Sequence, residues 1–220
     1  MFDGLHNLAL LIAPELAAAP FYVLAPPPGY PQLPHIRAFT HKDVDYKIRK
    51  ALIKRGEWQG PGATIVLNMD LLSDRESIVG ALIHETSHNT PATAPPEDHE
   101  PTDEEFANQV EVIGLWAAMP ADAAVAAPLW HPFHDWKFIR RCLHLRHRAA
   151  KFGYDIPYPA IQASGWMYGT SGTWRYARAL GDEPQRMIDA TFEEIENASP
   201  PAAFVELWES DTSAWHTNRK

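Results

Sequence analysis

The stretch from Gly60 to Pro91 constrains this chain more than any other. Gly60-Pro61-Gly62 breaks whatever precedes it, and Ala63-Thr64-Ile65-Val66-Leu67-Asn68 then supplies a β-branched, apolar run of strand composition. Ser73-Asp74-Arg75-Glu76 has the form of a capping box at a helix start. From there Ile78, Val79, Leu82 and Ile83 recur on one helical face, and Pro91 closes the segment. A strand that feeds directly into a capped, half-apolar helix predicts a sheet with that helix packed upon it. In the last turns of the helix stands His84-Glu85-Thr86-Ser87-His88.

Residues four apart on a helix share a face, so His84 and His88 can offer imidazole nitrogens to one ion. Glu85 is rotated by one residue from His84, beside the open coordination position of such an ion and outside its ligand shell. This is what a hydrolytic metal site needs: few protein ligands, one water, and a base next to it. A purely structural zinc site has no use for the carboxylate. The expected cofactor is Zn2+, with Glu85 as general base.

The remaining pattern is mostly helical. Residues 1–19 read as helix, broken at Pro14 and stopped by Pro20. Phe21–Leu24 reads as a short strand before the Pro-rich turn at 25–29, and 42–55 as a helix with Val44, Ile48 and Leu52 on one side. Beyond the loop at 90–101, helices are expected over Asp103–Met119, Asp135–Lys151, Thr173–Leu180, Pro184–Asn197 and Pro201–Ser210, with Gly153–Gly172 irregular and Glu206–Lys220 frayed. The fold class is α+β: one mainly helical domain over 1–220 with a small sheet, in which 152–220 forms a helical extension packed on the rest. The single cysteine, Cys142, excludes an intrachain disulfide and reads as core packing.

Charge is uneven. The net −9 argues against non-specific nucleic-acid binding by the whole chain, whereas Asp135–Lys151 carries six cations against one acid and Glu97–Glu111 is its acidic counterpart. Such runs read first as two oppositely charged faces that lie near each other or are simply solvated, and second as a groove for an acidic partner. His144 and His147 on the basic segment read as solvated rather than as a second metal site. Of the aromatics in Trp166–Tyr176, packing is the first reading; Tyr168 or Tyr176 donating a hydrogen bond at a reaction centre is the second.

The strand followed by an HExxH helix resembles the core of the zincin metallopeptidases. That resemblance implies a fold in which a strand beside the active helix receives substrate as an added strand, with Ile65–Asn68 as the counterpart. It also implies a third metal ligand downstream. His134, with Phe138-Ile139-Arg140 after it, resembles the H-G-P-x-F segment of SprT-like (Spartan-type) metallopeptidases, whose histidine binds zinc; Asp135 and Trp136 stand here for the glycine and proline. Glu104 in Glu104-Glu105-Phe106-Ala107-Asn108 resembles the E-x-x-A-N helix of ImmA/IrrE-like gluzincins and is the alternative ligand. His131 is a further candidate beside His134.

These readings converge on a zinc metallopeptidase acting on a protein or peptide. The rivals are a zinc hydrolase of non-peptide substrates, a non-catalytic zincin-shaped binding protein, and a protease acting on DNA-bound proteins. No run is long enough to span a bilayer, the N-terminus lacks a basic leader region, and a reducing, cytoplasmic setting is expected.

Overall fold

The computed structural model describes residues 1–30, 37–41, 46–89, 134–161 and 172–217. Three strands form the sheet: β1 (Phe21–Leu24), β2 (Ala38–His41) and β3 (Ala63–Leu67), in the order β1-β3-β2. β1 runs parallel to β3, with Phe21 opposite Ala63, and β2 runs antiparallel, with Thr40 opposite Ile65. Gly62 permits the β1–β3 pairing to begin, since a Cβ there would stand 1.8 Å from the Pro20 carbonyl oxygen. β3 is therefore the central strand with both edges paired. That overturns the expectation that Ile65–Asn68 receives an added strand. Among the described residues the open edges belong to β1 and β2.

Alternation along the strands divides the apolar side chains between two faces. Val66, Tyr22 and Leu24 meet Ile48 and Leu52 of α2 (Tyr46–Arg55) on one side. Ile65, Leu67, Phe21 and Val23 join the larger core on the other, with α1 (Phe2–Ile12), α3 (Arg75–His88) and α4 (Trp136–Lys151). That core continues through Ile161 of α5 (Tyr158–Ile161), Tyr176 of α6 (Thr173–Leu180), Phe192 of α8 (Phe192–Asn197) and Phe204 of α9 (Ala202–Thr217). The chain is thus mainly helical around a small sheet. No described helix is long and apolar enough to cross a membrane.

Several local expectations are corrected. The cap of α3 is Asp74, not Ser73: its Oδ1 accepts from Ser77 N at 2.8 Å, because the first helical residue is Arg75 and Ser77 holds the third position. Strand β2 went unpredicted, being four residues with one large apolar side chain. The expected helix 184–197 is two, α7 (Glu183–Arg186) and α8, the second opened by a reciprocal Thr191–Glu194 capping box. α9 runs well into the segment expected to fray. Its Asp211 is buried and accepts from Tyr176 Oη at 2.9 Å. The expected helix Asp103–Met119 lies outside the described residues.

The basic segment is solvated only in part: Lys137 and Lys151 stay largely in solvent, and others turn inward. α4 turns Arg140, His144 and Arg148 into the protein. Arg140 Nε and His144 Nε2 both reach Glu183 Oε1 at 2.8 Å, and Arg148 Nη1 donates to the Ile12 carbonyl at 3.0 Å, capping the end of α1. These three side chains are engaged within the protein.

Candidate metal centre

Two helix ends build the centre. α3 delivers His84, Glu85 and His88 from its last two turns: the two histidines stand one above the other on one half-buried face, and Glu85, one residue round, is buried. His134 arrives from the start of α4. There Asp135 is the cap, its Oδ1 accepting from Phe138 N at 2.8 Å, so the residue before the cap is held at a fixed angle to the helix. Phe138, one turn inside, packs its ring against all three imidazoles at 4.3 to 5.0 Å between centroids.

One nitrogen from each of His84, His88 and His134 lies within 4.8 Å of the others. His88 Nε2 and His134 Nε2 are 3.1 Å apart. Nitrogens bound to one tetrahedral zinc at about 2.0–2.1 Å stand roughly 3.4 Å from one another. The His88–His134 pair is already near that spacing, and small side-chain adjustments would let all three nitrogens share an ion. Among the described residues it is the only such group of histidine, cysteine or carboxylate side chains.

The electrostatics suit a cation. Burial pushes the His84 imidazole down to about 4. Burial, with a smaller contribution from His84, takes His134 down to about 2. Near neutrality these two rings are uncharged and present lone pairs, as ligation requires. Glu85 is 6% exposed, has no ion-pair partner among the described residues, and is pushed by burial up to about 8. A carboxyl buried without a cation favours its neutral form, and a positive ion bound nearby would favour the ionised one.

Three supports have no counterpart in the sequence reading. His84 Nδ1 meets the Ile161 carbonyl at 3.0 Å. Asn89 Nδ2 donates to Glu85 O at 2.9 Å and to Thr40 Oγ1 at 2.5 Å, while Thr40 donates to Thr64 O, so the end of α3 is tied to edge strand β2. Arg141 Nε donates to Ser87 O at 2.9 Å and pairs through Nη1 with Glu196. Asn89 carried a weak signal as a helix-ending residue. Arg141 and the Ile161 carbonyl carried none, since long-range partners leave no trace in local pattern.

The predicted site residues thus divide. His84, His88 and His134 come together, and Glu85 is adjacent in sequence and buried. Glu104 and His131, the other candidate ligands, lie outside the described residues, as do His99 and Tyr168. Tyr176 is taken up by Asp211 and the Phe204 ring, which fits the packing reading. His144 is bound to Glu183, and no second metal cluster forms among the described residues. Cys142 is fully buried, with its thiol pushed up to about 12, chiefly by burial, so it stays protonated and packs. No family model, no curated protein and no solved structure matches the chain.

Proposed function

We propose that this protein is a zinc-dependent metallopeptidase of the HExxH type, in which His84, His88 and His134 hold the metal and Glu85 is the general base. One observation carries the reading. Three imidazoles from two separate helices converge with ligand atoms within 4.8 Å, and the residue after the first of them is a buried carboxyl without a cation of its own. A structural zinc site would account for the imidazoles and leave the carboxyl unexplained.

When bound, the metal supplies Lewis-acid polarisation of the scissile carbonyl and brings the acidity of water at the site toward neutrality. Glu85 accepts the proton of the attacking water and delivers it to the departing amine nitrogen. In the metal-free chain burial keeps that carboxyl protonated near pH 7; a neighbouring cation favours the ionised form, so the base becomes available in the loaded protein. Phe138 walls the rings on one side and excludes water from their backs. The zincin resemblance implies an extended substrate at a sheet edge, and the open edge tied to the end of α3 is β2.

Metal analysis paired with Glu85→Gln tests the reading. About one zinc per chain is expected in both proteins, with cleavage of a peptide library confined to the wild type, the variant falling by roughly 10²–10⁴-fold or more. Zinc without cleavage in either protein would point to a non-peptide substrate. Wild-type protein prepared without chelators that holds no metal would end the proposal.

A further inference from the structure

We propose that Gly80 and the Ile161 carbonyl are positioning elements of the metal centre: the missing side chain at Gly80 lets the α5 turn lie against α3, and Ile161 O then fixes the His84 ring with Nε2 free to ligate. This rests on the three histidines being a metal centre and is independent of what reaction occurs there.

Glycine inside a helix is entropically unfavourable, so its presence in the middle of α3 calls for a packing reason. Gly80 is buried and stands one turn before His84 on the same face. A Cβ built upon it would lie 2.4 Å from Ala160 O, 2.7 Å from Ala160 C and 3.0 Å from Ala160 Cβ. Two of these are backbone atoms, which cannot swing aside as a side-chain tip would. The next carbonyl along, that of Ile161, lies 3.0 Å from His84 Nδ1 across 77 residues of sequence. A carbonyl only accepts, so Nδ1 carries the proton, and a neutral imidazole with its hydrogen there has its lone pair on Nε2.

The α5 turn cannot simply retreat from a larger residue. Its Ile161 side chain is fully buried in the main core. At the other end, Arg146 stacks over the Tyr158 ring at 4.1 Å, donates to Ile156 O and pairs with Asp155 at 2.9 Å. With both ends held, a methyl group at position 80 must open the α3–α5 contact or tilt α5, and either movement takes Ile161 O away from His84.

Partners that orient a metal-binding histidine typically carry 10–100-fold of metal affinity. Competition between the protein and a chromophoric chelator for Zn2+ is therefore expected to show Gly80→Ala binding at least about tenfold more weakly than wild type. Val79→Ala, which trims the neighbouring core residue and leaves Gly80 unchanged, serves as the stability control and is expected to keep wild-type affinity. Independently, nitrogen–proton spectra of the metal-free wild type should find the His84 proton on Nδ1, a measurement that needs no folded variant. Wild-type affinity in Gly80→Ala, an equal loss in both variants, or a His84 proton residing on Nε2 would each overturn the proposal while leaving the metal centre standing. Failure of the wild type to bind Zn2+ at all would overturn both.

Discussion

The molecule holds two polar clusters that contain histidine, one of three imidazoles and one of a single imidazole with an arginine and a glutamate, and they are built on different principles. At the end of α3, His84, His88 and His134 converge on one another beside Glu85, with no cation among the described residues to balance the carboxyl. Along α4, His144 shares Glu183 with Arg140, and the three side chains are 1–2% exposed. Burial alone would raise the Glu183 carboxyl, but the His144 and Arg140 hydrogen bonds outweigh it and hold it below its ordinary value. That second cluster carries its own charge balance, a cation, its counter-charge and donors aimed at one oxygen, although Arg140 Nη2 and His144 Nδ1 stay without hydrogen-bond partners. The first has no such balance among the described residues, and its three imidazoles could hold a positive ion. Buried polar groups that satisfy one another help to hold a fold together.

The largest expected effect comes from breaking the self-sufficient cluster. Glu183→Ala leaves Arg140 buried against a lost partner, a change that costs about 3–5 kcal/mol in such networks. The midpoint of urea unfolding, measured in the presence of chelator, should fall accordingly, while zinc bound per folded chain stays at the wild-type value. Loss of metal binding from a folded Glu183→Ala protein would show that the two clusters are one system, and the contrast drawn between them would fail.

How far each cluster was legible in the sequence follows from the same difference. The α3 histidines repeat at helical spacing, and Pro91, the capping residues and the preceding strand frame them, so local pattern sufficed to put His84 and His88 on one face. His134 and Phe138 were legible as a short segment resembling a known ligand motif, because the geometry of one helix start is itself local. Nothing local marked the Arg140–Glu183–His144 network, whose members are some forty residues apart; six cations in one segment look like a solvated face until their partners are known. The same holds for β2, whose four residues become a strand through pairing with β3, and for α9, where a buried Asp211 bonded to Tyr176 stabilises a segment of frayed composition. Capping failed by one residue because Ser73 and Asp74 are both good caps and only the backbone decides between them.

A smaller effect should come from filling the unsatisfied cluster. An ion that binds only the folded chain adds about 2.7 kcal/mol of stability at a hundred times its dissociation constant. Thermal unfolding of wild type with zinc in that excess is expected to shift upward, and chelator to reverse it. His134→Ala removes one of three ligands and should lose most of the shift, whereas a variant on the α4 network, His144→Gln, should keep it all. An undiminished shift in His134→Ala would return the third ligand to Glu104 or His131.

The effect that is smallest per unit of pH separates the clusters by pH alone, in protein stripped of metal. Glu85 is held near 8 when folded against an ordinary value of 4.5, so the folded chain binds one more proton than the unfolded chain between those limits. Its contribution is fully present below about pH 4.5 and is lost as pH rises through 8, at about 1.4 kcal/mol per pH unit over the interval. His84 and His134 act in the other direction: held near 4 and 2, they favour the folded state above about 6.5 and cease to do so as pH falls. Subtracting the unfolding free energy of Glu85→Gln from that of wild type across pH 5 to 8 cancels the histidines and the α4 network, which both proteins share. The difference should slope downward with rising pH by one proton. Parallel profiles would mean that Glu85 already has a partner in the metal-free protein, and the distinction between a finished cluster and one awaiting an ion would lose its footing.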